Sequence, residues 1–344
     1  MKRVGYIFEK IYSKENIRAA VIEAAKSKHK KKSVQRVFQN MDYYVEDLHN
    51  LLKNKEFHNS KPTIREHFEP LQNKIRELTI LPFYPDQIVQ HAIIRVIAPT
   101  LRKGMYEYCC ANVPGRGEKH IRVNLSKALR KDRKNTKYCL KFDIKKFYPS
   151  IPQAILIQKL KRIIKDTNTL DLIKELISIQ KEGLTLGSYS SQWLANFFLQ
   201  DLDHFIKERV KVKYLYRYAD DIVILDSNRR KLSRTLELIK LFLDMDGLDI
   251  KPSWRIFKID ERNAIDFVGY KFYRCKISIR KRIYKNIRRL ILRIIDRLSI
   301  DKIATRKQAR SLMSYLGYIK NSDSYLINHK YLKKLPLNRL KSIV

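Results

Sequence analysis

The sequence predicts an α+β fold, in which short antiparallel strands are flanked by amphipathic helices and the chain closes in a basic helical module. Three observations predict it. Val212, Tyr214, Tyr216 and Tyr218 alternate with Lys213, Leu215 and Arg217, the period of a half-buried strand. Just beyond, Ile222, Val223, Ile224 and Leu225 form a continuous apolar run, so the two read as a hairpin around Tyr218-Ala219-Asp220-Asp221. Ile283, Ile287, Leu290, Ile291, Ile294 and Leu298 then recur with helical spacing.

Taken in order, the chain reads as helices up to about Phe57, including 17–25 and a segment with Val34, Val37, Phe38, Met41 and Leu48 on one face. Ile75, Leu78, Ile80 and Leu81 suggest a strand that Pro82 ends. Residues 85–98 read as a helix with the stripe Ile88, Ala92, Val96 and Ile97, and Pro114, Gly115 and Gly117 make 112–120 a loop. Tyr138, Leu140, Phe142 and Ile144 share one strand face; Cys139, Lys141 and Asp143 share the other. Ser150, followed by Pro152 and Gln153, reads as a capping box opening a helix through Leu160 and Ile164. The Gly-centred stretch Leu186-Gly187-Ser188-Tyr189-Ser190-Ser191-Gln192 enters a helix carrying Leu194, Phe198, Leu202 and Phe205. Glycine there lets backbone approach a ligand, and helix N-terminal amides favour phosphate. Leu232, Leu236, Ile239 and Leu243 mark an amphipathic helix stopped near Gly247. A strand is expected over 266–272, and helices over 308–319 and 330–340. No internal repeat or low-complexity linker interrupts the chain, so its parts are expected to pack as one body.

At 344 residues there is room for two or three subdomains. The 73 Lys and Arg against 35 acidic residues leave a net charge of +38, which points to a polyanionic partner, most simply nucleic acid. No apolar run approaches the ~18–20 residues of a transmembrane helix, and no signal-peptide core follows Met1-Lys2-Arg3. Cys109, Cys110, Cys139 and Cys275 lack metal-ligand or disulfide-framework spacing and read as reduced thiols of a cytoplasmic protein. No P-loop and no HExxH occurs.

Ala-Asp-Asp is a poor hairpin turn, since primed turns want Asn-Gly or Asp-Gly. Two adjacent carboxylates repel unless positive charge lies beside them. The alternatives are a solvated acidic turn or a divalent metal site, and the second needs a third carboxylate. Asp143 can supply it, because an Asp on an otherwise apolar strand is costly unless paired or metal-bound. Carboxylates from different strands are what two Mg²⁺ ions ~3.5–4 Å apart require.

Phe142-Asp143-Ile144-Lys145-Lys146-Phe147-Tyr148-Pro149-Ser150-Ile151 resembles the first catalytic motif of reverse transcriptases, and Tyr218-Ala219-Asp220-Asp221 resembles their YxDD motif. Phe267-Val268-Gly269-Tyr270 is similar to the primer grip of bacterial retroelement enzymes; Asp86 to His91 and the Arg116-Gly117 loop resemble their fingers. The likeness runs in order over about 73–275, with a weaker thumb match beyond. LGxxxSQ at 186–192 resembles the enzymes of diversity-generating retroelements, where group II intron and retron enzymes usually carry QGxxxSP.

The resemblance implies a right-hand polymerase fold: N-terminal helices and fingers over 1–136, a palm over 137–273 with 152–183 adjoining the fingers, and a basic helical thumb over 274–344. It implies an RNA-directed DNA polymerase making cDNA with errors at template adenines, from which a variable gene is rewritten. Asp143, Asp220 and Asp221 would be catalytic and, with Ile144, would hold two Mg²⁺ ions (or Mn²⁺). Arg76, Phe147, Tyr148, Leu186, Gly187 and Gln192 would bind the dNTP, with Tyr148 as a steric gate against a ribose 2′-hydroxyl. Arg288, Arg289, Arg293 and Arg297, largely off the apolar stripe, would face the RNA/cDNA duplex. A small basic helical accessory protein is the implied partner, besides template RNA and dNTPs; no membrane is. A retron, group II intron-like or phage-defence reverse transcriptase is the nearest alternative, and a catalytically silent RNA-binding scaffold the alternative of a different class.

Overall fold

A computed structural model describes residues 3–69, 74–300 and 303–343. The strands are β1 (Thr63–Glu69), β2 (Lys74–Ile80), β3 (Tyr138–Asp143), β4 (Tyr214–Tyr218), β5 (Asp221–Asp226), β6 (Arg255–Lys258), β7 (Ile265–Phe267), β8 (Tyr270–Phe272) and β9 (Ile277–Ile279). They form a β1-β2 ribbon, a sheet of order β4-β5-β3-β6 and a sheet of order β7-β8-β9. Contacts divide the chain into two compact units. The first comprises Met1–Gly117, Phe142–Ile222 and Ser233–Trp254; the second comprises Glu118–Lys141, Val223–Leu232 and Arg255–Val344.

In the first unit, helices Lys14–Ala24, Lys32–Gln39, Met41–Lys53 and Ile88–Lys103 bury Ile17, Val21, Val34, Leu48, Ile88 and Ile93. The face expected on a single helix is divided at Asn40, whose backbone (φ −127°, ψ 45°) leaves helical geometry, and Phe38 stays exposed. In the antiparallel β1-β2 ribbon, Arg76 lies opposite His67 and Ile75 opposite Phe68. The helix expected from residue 85 begins at Ile88, after a wide turn over Phe83–Gln87, and runs past Pro99 to Lys103.

Ser150 does not cap the helix that follows it. Its hydroxyl donates to the Lys145 carbonyl, 3.2 Å away, and the helix Gln153–Lys161 starts with Pro152 at its N-cap. Gln153 reaches forward instead, donating to the carbonyls of Ile177, Gln180 and Gly183, each at 2.9 Å. The helix after the glycine loop ends at Phe198, and a second piece, Gln200–His204, carries Leu202 into the core.

In the second unit, residues 266–272 form a hairpin rather than one strand. Val268 (φ 43°) and Gly269 (φ 92°) make a two-residue turn between β7 and β8, since both positions take the positive φ of a primed turn. Helix Lys281–Leu298 buries Ile283, Ile287, Ile291 and Ile294. Helix Arg306–Lys320 opens with a Thr305–Gln308 capping box. The helix expected over 330–340 is broken into Tyr325–Lys330, a 3₁₀ turn Leu332–Lys334 and Leu337–Ser342, as Pro336 lacks the amide needed to continue. Helix Glu118–Lys131 starts inside the segment expected to be a loop. Among the described residues, no helix is long and apolar enough to cross a membrane.

Candidate active site

The first unit brings Asp143 and Asp220 together. The chain leaves β3 at Asp143 and is paired there with residues 249–251. Lys251 N–H donates to Asp143 O at 2.8 Å, Lys145 N–H donates to Asp249 O at 2.8 Å, and Ile144 bridges Ile250. Ile144 is fully buried and its amide faces Asp220 O at 3.4 Å. This backbone frame places Lys251 Nζ 3.8 Å from Asp143 Oδ1 and 3.5 Å from Asp220 Oδ2. Burial raises the Asp220 carboxyl above the usual carboxylate range; Lys251 works against this and the Asp143 charge adds to it. Asp221 opens β5.

The turn carrying Asp220 is strained and clamped from below. Ala219 sits at φ +54°, a left-handed backbone that non-glycine residues seldom adopt. Arg217, wholly buried, donates to the Ala219 carbonyl at 3.2 Å. The same guanidinium donates to Asp203 Oδ1 at 2.8 Å and Oδ2 at 2.6 Å, to Asn196 Oδ1 at 3.1 Å and to Cys109 Sγ at 2.9 Å. Burial opposes its charge and Asp203 more than offsets that, so its proton is held more firmly than usual. Strand alternation gave no reason to expect Arg217, Asp203 or Asn196 here. The available signal was an Arg amid Tyr, Leu and Val, which is tolerated at depth only with a paired carboxylate.

Tyr148 stands in the short helix Phe147–Ser150, next to Lys146 at φ +43°. Its phenol is pushed up to about 12 by burial and by the Asp220 charge, against the pull of Arg217 and Arg76. Phe147 is buried, with its ring edge-on to Tyr148. Arg76 is half-buried on β2, and Gln192 half-buried in the first turn of helix Tyr189–Phe198.

The glycine loop is docked on the chain itself. Leu186 O accepts Thr79 N–H of β2 at 2.8 Å. Gly187 is at φ +106°, and a Cβ there would lie 2.7 Å from Thr79 O. The glycine thus permits the close approach of β2. At the helix N-terminus, Tyr189 N–H and Ser188 Oγ both donate to Gln90 Oε1 at 2.9 Å. His91 stacks on Tyr189 at 4.0 Å, and burial lowers its pKa to about 4. The Asp86–His91 stretch thus holds the loop, a role its sequence did not indicate.

The remaining expected positions lie in the second unit. Phe267 and Tyr270 are buried, Tyr270 against Tyr318, and Lys141 Nζ donates to Asp266 O below the Phe267 ring. A Cβ on Gly269 would meet the Tyr318 ring at 2.8 Å, so Gly269 is buried against Tyr318 and Val268 is the half-buried residue of the turn. Arg288, Arg289 and Arg293 are exposed on helix Lys281–Leu298, whereas Arg297 donates to the Ile303 carbonyl at 3.2 Å.

Residues 70–272, more than half of the chain, match the reverse transcriptase (RNA-dependent DNA polymerase) family. Telomerase from Candida tropicalis, in complex with a TWJ fragment of telomeric RNA, superposes with a TM-score of 0.51 at 12% identity, over 79% of this chain and 55% of that one. The apo telomerase of the same organism gives 0.50 at 12% identity, over 83% and 61%. The chain therefore spans a little over half the length of these telomerase chains, which share its fold, that of the right-hand polymerases. The retron Ec73 reverse transcriptase of Escherichia coli is 26% identical over 228 residues, 61% of this chain and 71% of that protein. The chain belongs to the reverse transcriptase family and is an RNA-directed DNA polymerase.

Proposed function

We propose that this enzyme makes cDNA from a retroelement template RNA at a site built on Asp143 and Asp220, with Asp221 beside them. The observation that carries this is two carboxylates, one at the end of β3 and one in the turn between β4 and β5, set around one positive charge, the Lys251 ammonium. Among the described residues, no group of three or more His, Cys, Asp or Glu converges as a metal cage. The Asp143–Asp220 pair nonetheless has the hard oxygen donors that Mg²⁺ prefers, and it already accommodates a cation. Bound Mg²⁺, or Mn²⁺, would supply Lewis acidity to the primer 3′-hydroxyl and neutralise charge on the leaving pyrophosphate. Tyr148, held as a neutral phenol, is the bulky group that excludes a ribose 2′-hydroxyl. Arg76 has the fork geometry for a triphosphate. The exposed Arg288, Arg289 and Arg293 suit a duplex backbone. In this reading 1–136 are N-terminal helices and fingers, 137–273 palm and 274–344 thumb.

Leu186-Gly187-Ser188-Tyr189-Ser190-Ser191-Gln192 supports a diversity-generating retroelement enzyme, error-prone at template adenines and assisted by a small basic helical protein. The likeness to the retron Ec73 enzyme supports a retron-type reading as the second candidate. The test is dNTP incorporation on an RNA template with Mg²⁺, with and without a neighbouring basic protein, followed by sequencing of the cDNA. Substitutions concentrated opposite adenines are expected; accurate cDNA favours the retron reading, and activity surviving Asp220→Asn removes the site assignment.

A further inference from the structure

We infer that Lys251 is a resident counter-ion of the Asp143–Asp220 pair, one that holds the two carboxylates in register before a divalent cation loads and that sets how tightly the cation binds. The inference rests on the proposal that these carboxylates bind metal.

The backbone leaves Lys251 little choice of place. Residues 249–251 pair with 143–145 through the Lys251-to-Asp143 and Lys145-to-Asp249 hydrogen bonds and the Ile144–Ile250 bridge, so Lys251 emerges directly beside Asp143. Pro252 follows at once, with φ fixed by its ring. The ammonium then lies within 4 Å of one carboxylate oxygen on each side. Two negative carboxylates facing one ammonium repel each other, and the lysine between them relieves that repulsion without any metal. The lysine side chain is only about a third exposed (34%), so screening by water is partial. A divalent cation bound by the same oxygens meets a like charge at contact range and must displace it or bind against it. Lys251 is a positioning residue in this account, acting through Asp143 and Asp220.

The test is Mn²⁺ binding to the full chain without nucleic acid, read by the loss of the free-ion electron paramagnetic signal, with Mn²⁺-dependent melting alongside. Lys251→Met removes the charge at similar length and is expected to tighten Mn²⁺ binding about tenfold, given the size of a like-charge interaction at this range. Without metal it should melt lower than wild type and gain more on Mn²⁺ addition. Lys251→Arg keeps the charge and should retain the wild-type affinity; Lys251→Gln serves if the methionine variant fails to fold. Equal Mn²⁺ affinity in wild type and Lys251→Met overturns the inference while leaving the metal site standing. Wild type that binds no Mn²⁺ overturns the metal reading and this inference with it.

Discussion

Arg217 and Asp203 form an ion pair in which both side chains are wholly shielded from water, and the arginine of that pair also grips the carbonyl of Ala219 inside the Asp220 turn. Arg217→Met leaves a buried carboxylate without its partner, which typically costs about 3–5 kcal/mol. Urea unfolding should show this loss. Lys at 217 cannot reproduce the fork reaching Asp203, Asn196 and Ala219 together, so Arg217→Lys should recover only part of it. The double change Arg217→Met with Asp203→Leu should recover more stability than activity, because the turn loses its anchor either way.

Asp220 gives a pH-dependent signature. Its folded carboxyl titrates above its unfolded value, so the folded state binds more protons in that window and stability falls as pH rises through it. Asp220→Asn should therefore abolish primer extension yet raise the melting temperature at neutral pH. Below the unfolded carboxylate range the gain should vanish. The side chain is about a third exposed (31%), which keeps the gain modest. A lower melting point for Asp220→Asn at pH 7 would contradict this.

His91 titrates in the opposite sense. Its folded pKa, about 4, lies below the ordinary 6.5 because burial disfavours the imidazolium. The unfolded chain binds more protons between those values, so the stability His91 contributes is complete above pH 6.5 and is lost as pH falls toward about 4. Melting curves for His91→Phe across this range should show a shallower slope than wild type.

Gly187→Ala should be among the most damaging single-methyl additions in the chain. The new Cβ would sit 2.7 Å from Thr79 O, on a backbone at φ +106°. A cost of about 1–3 kcal/mol is expected from the backbone alone, visible in thermal melts. KM for dNTP should rise as well, since the displaced loop is tied to the strand carrying Arg76.

Leu186 cannot offer a side-chain hydrogen bond to an incoming base pair, and a site without such a bond discriminates weakly. Leu186→Gln is expected to lower substitutions opposite template adenines in sequenced cDNA. An unchanged error spectrum would remove Leu186 from the account of fidelity.

Much of the molecule was legible from local pattern. The Tyr218–Asp221 turn, the strand ending at Asp143 and the apolar stripe from Ile283 each follow from spacing that survives in the fold. What was hidden depends on partners far along the chain. Arg217 looks like the polar tooth of an alternating strand, and only Asp203 and Asn196 make its burial tolerable. Ser150 has the letters of a cap, but the chain bends at Pro152 before a cap can close. Val268-Gly269 reads as mid-strand because valine rarely takes positive φ, yet it is the turn. The stacking of His91 on Tyr189 joins two motifs that no local pattern connects.

The chain passes between its two units after residues 117, 141, 222, 232 and 254. Neither unit is thus a stretch of sequence that one cut could release. Exchange at a single crossover between related genes would graft an incomplete piece onto an incomplete piece. A chimaera of this polymerase that exchanges one unit whole would need matched breakpoints at all five joins.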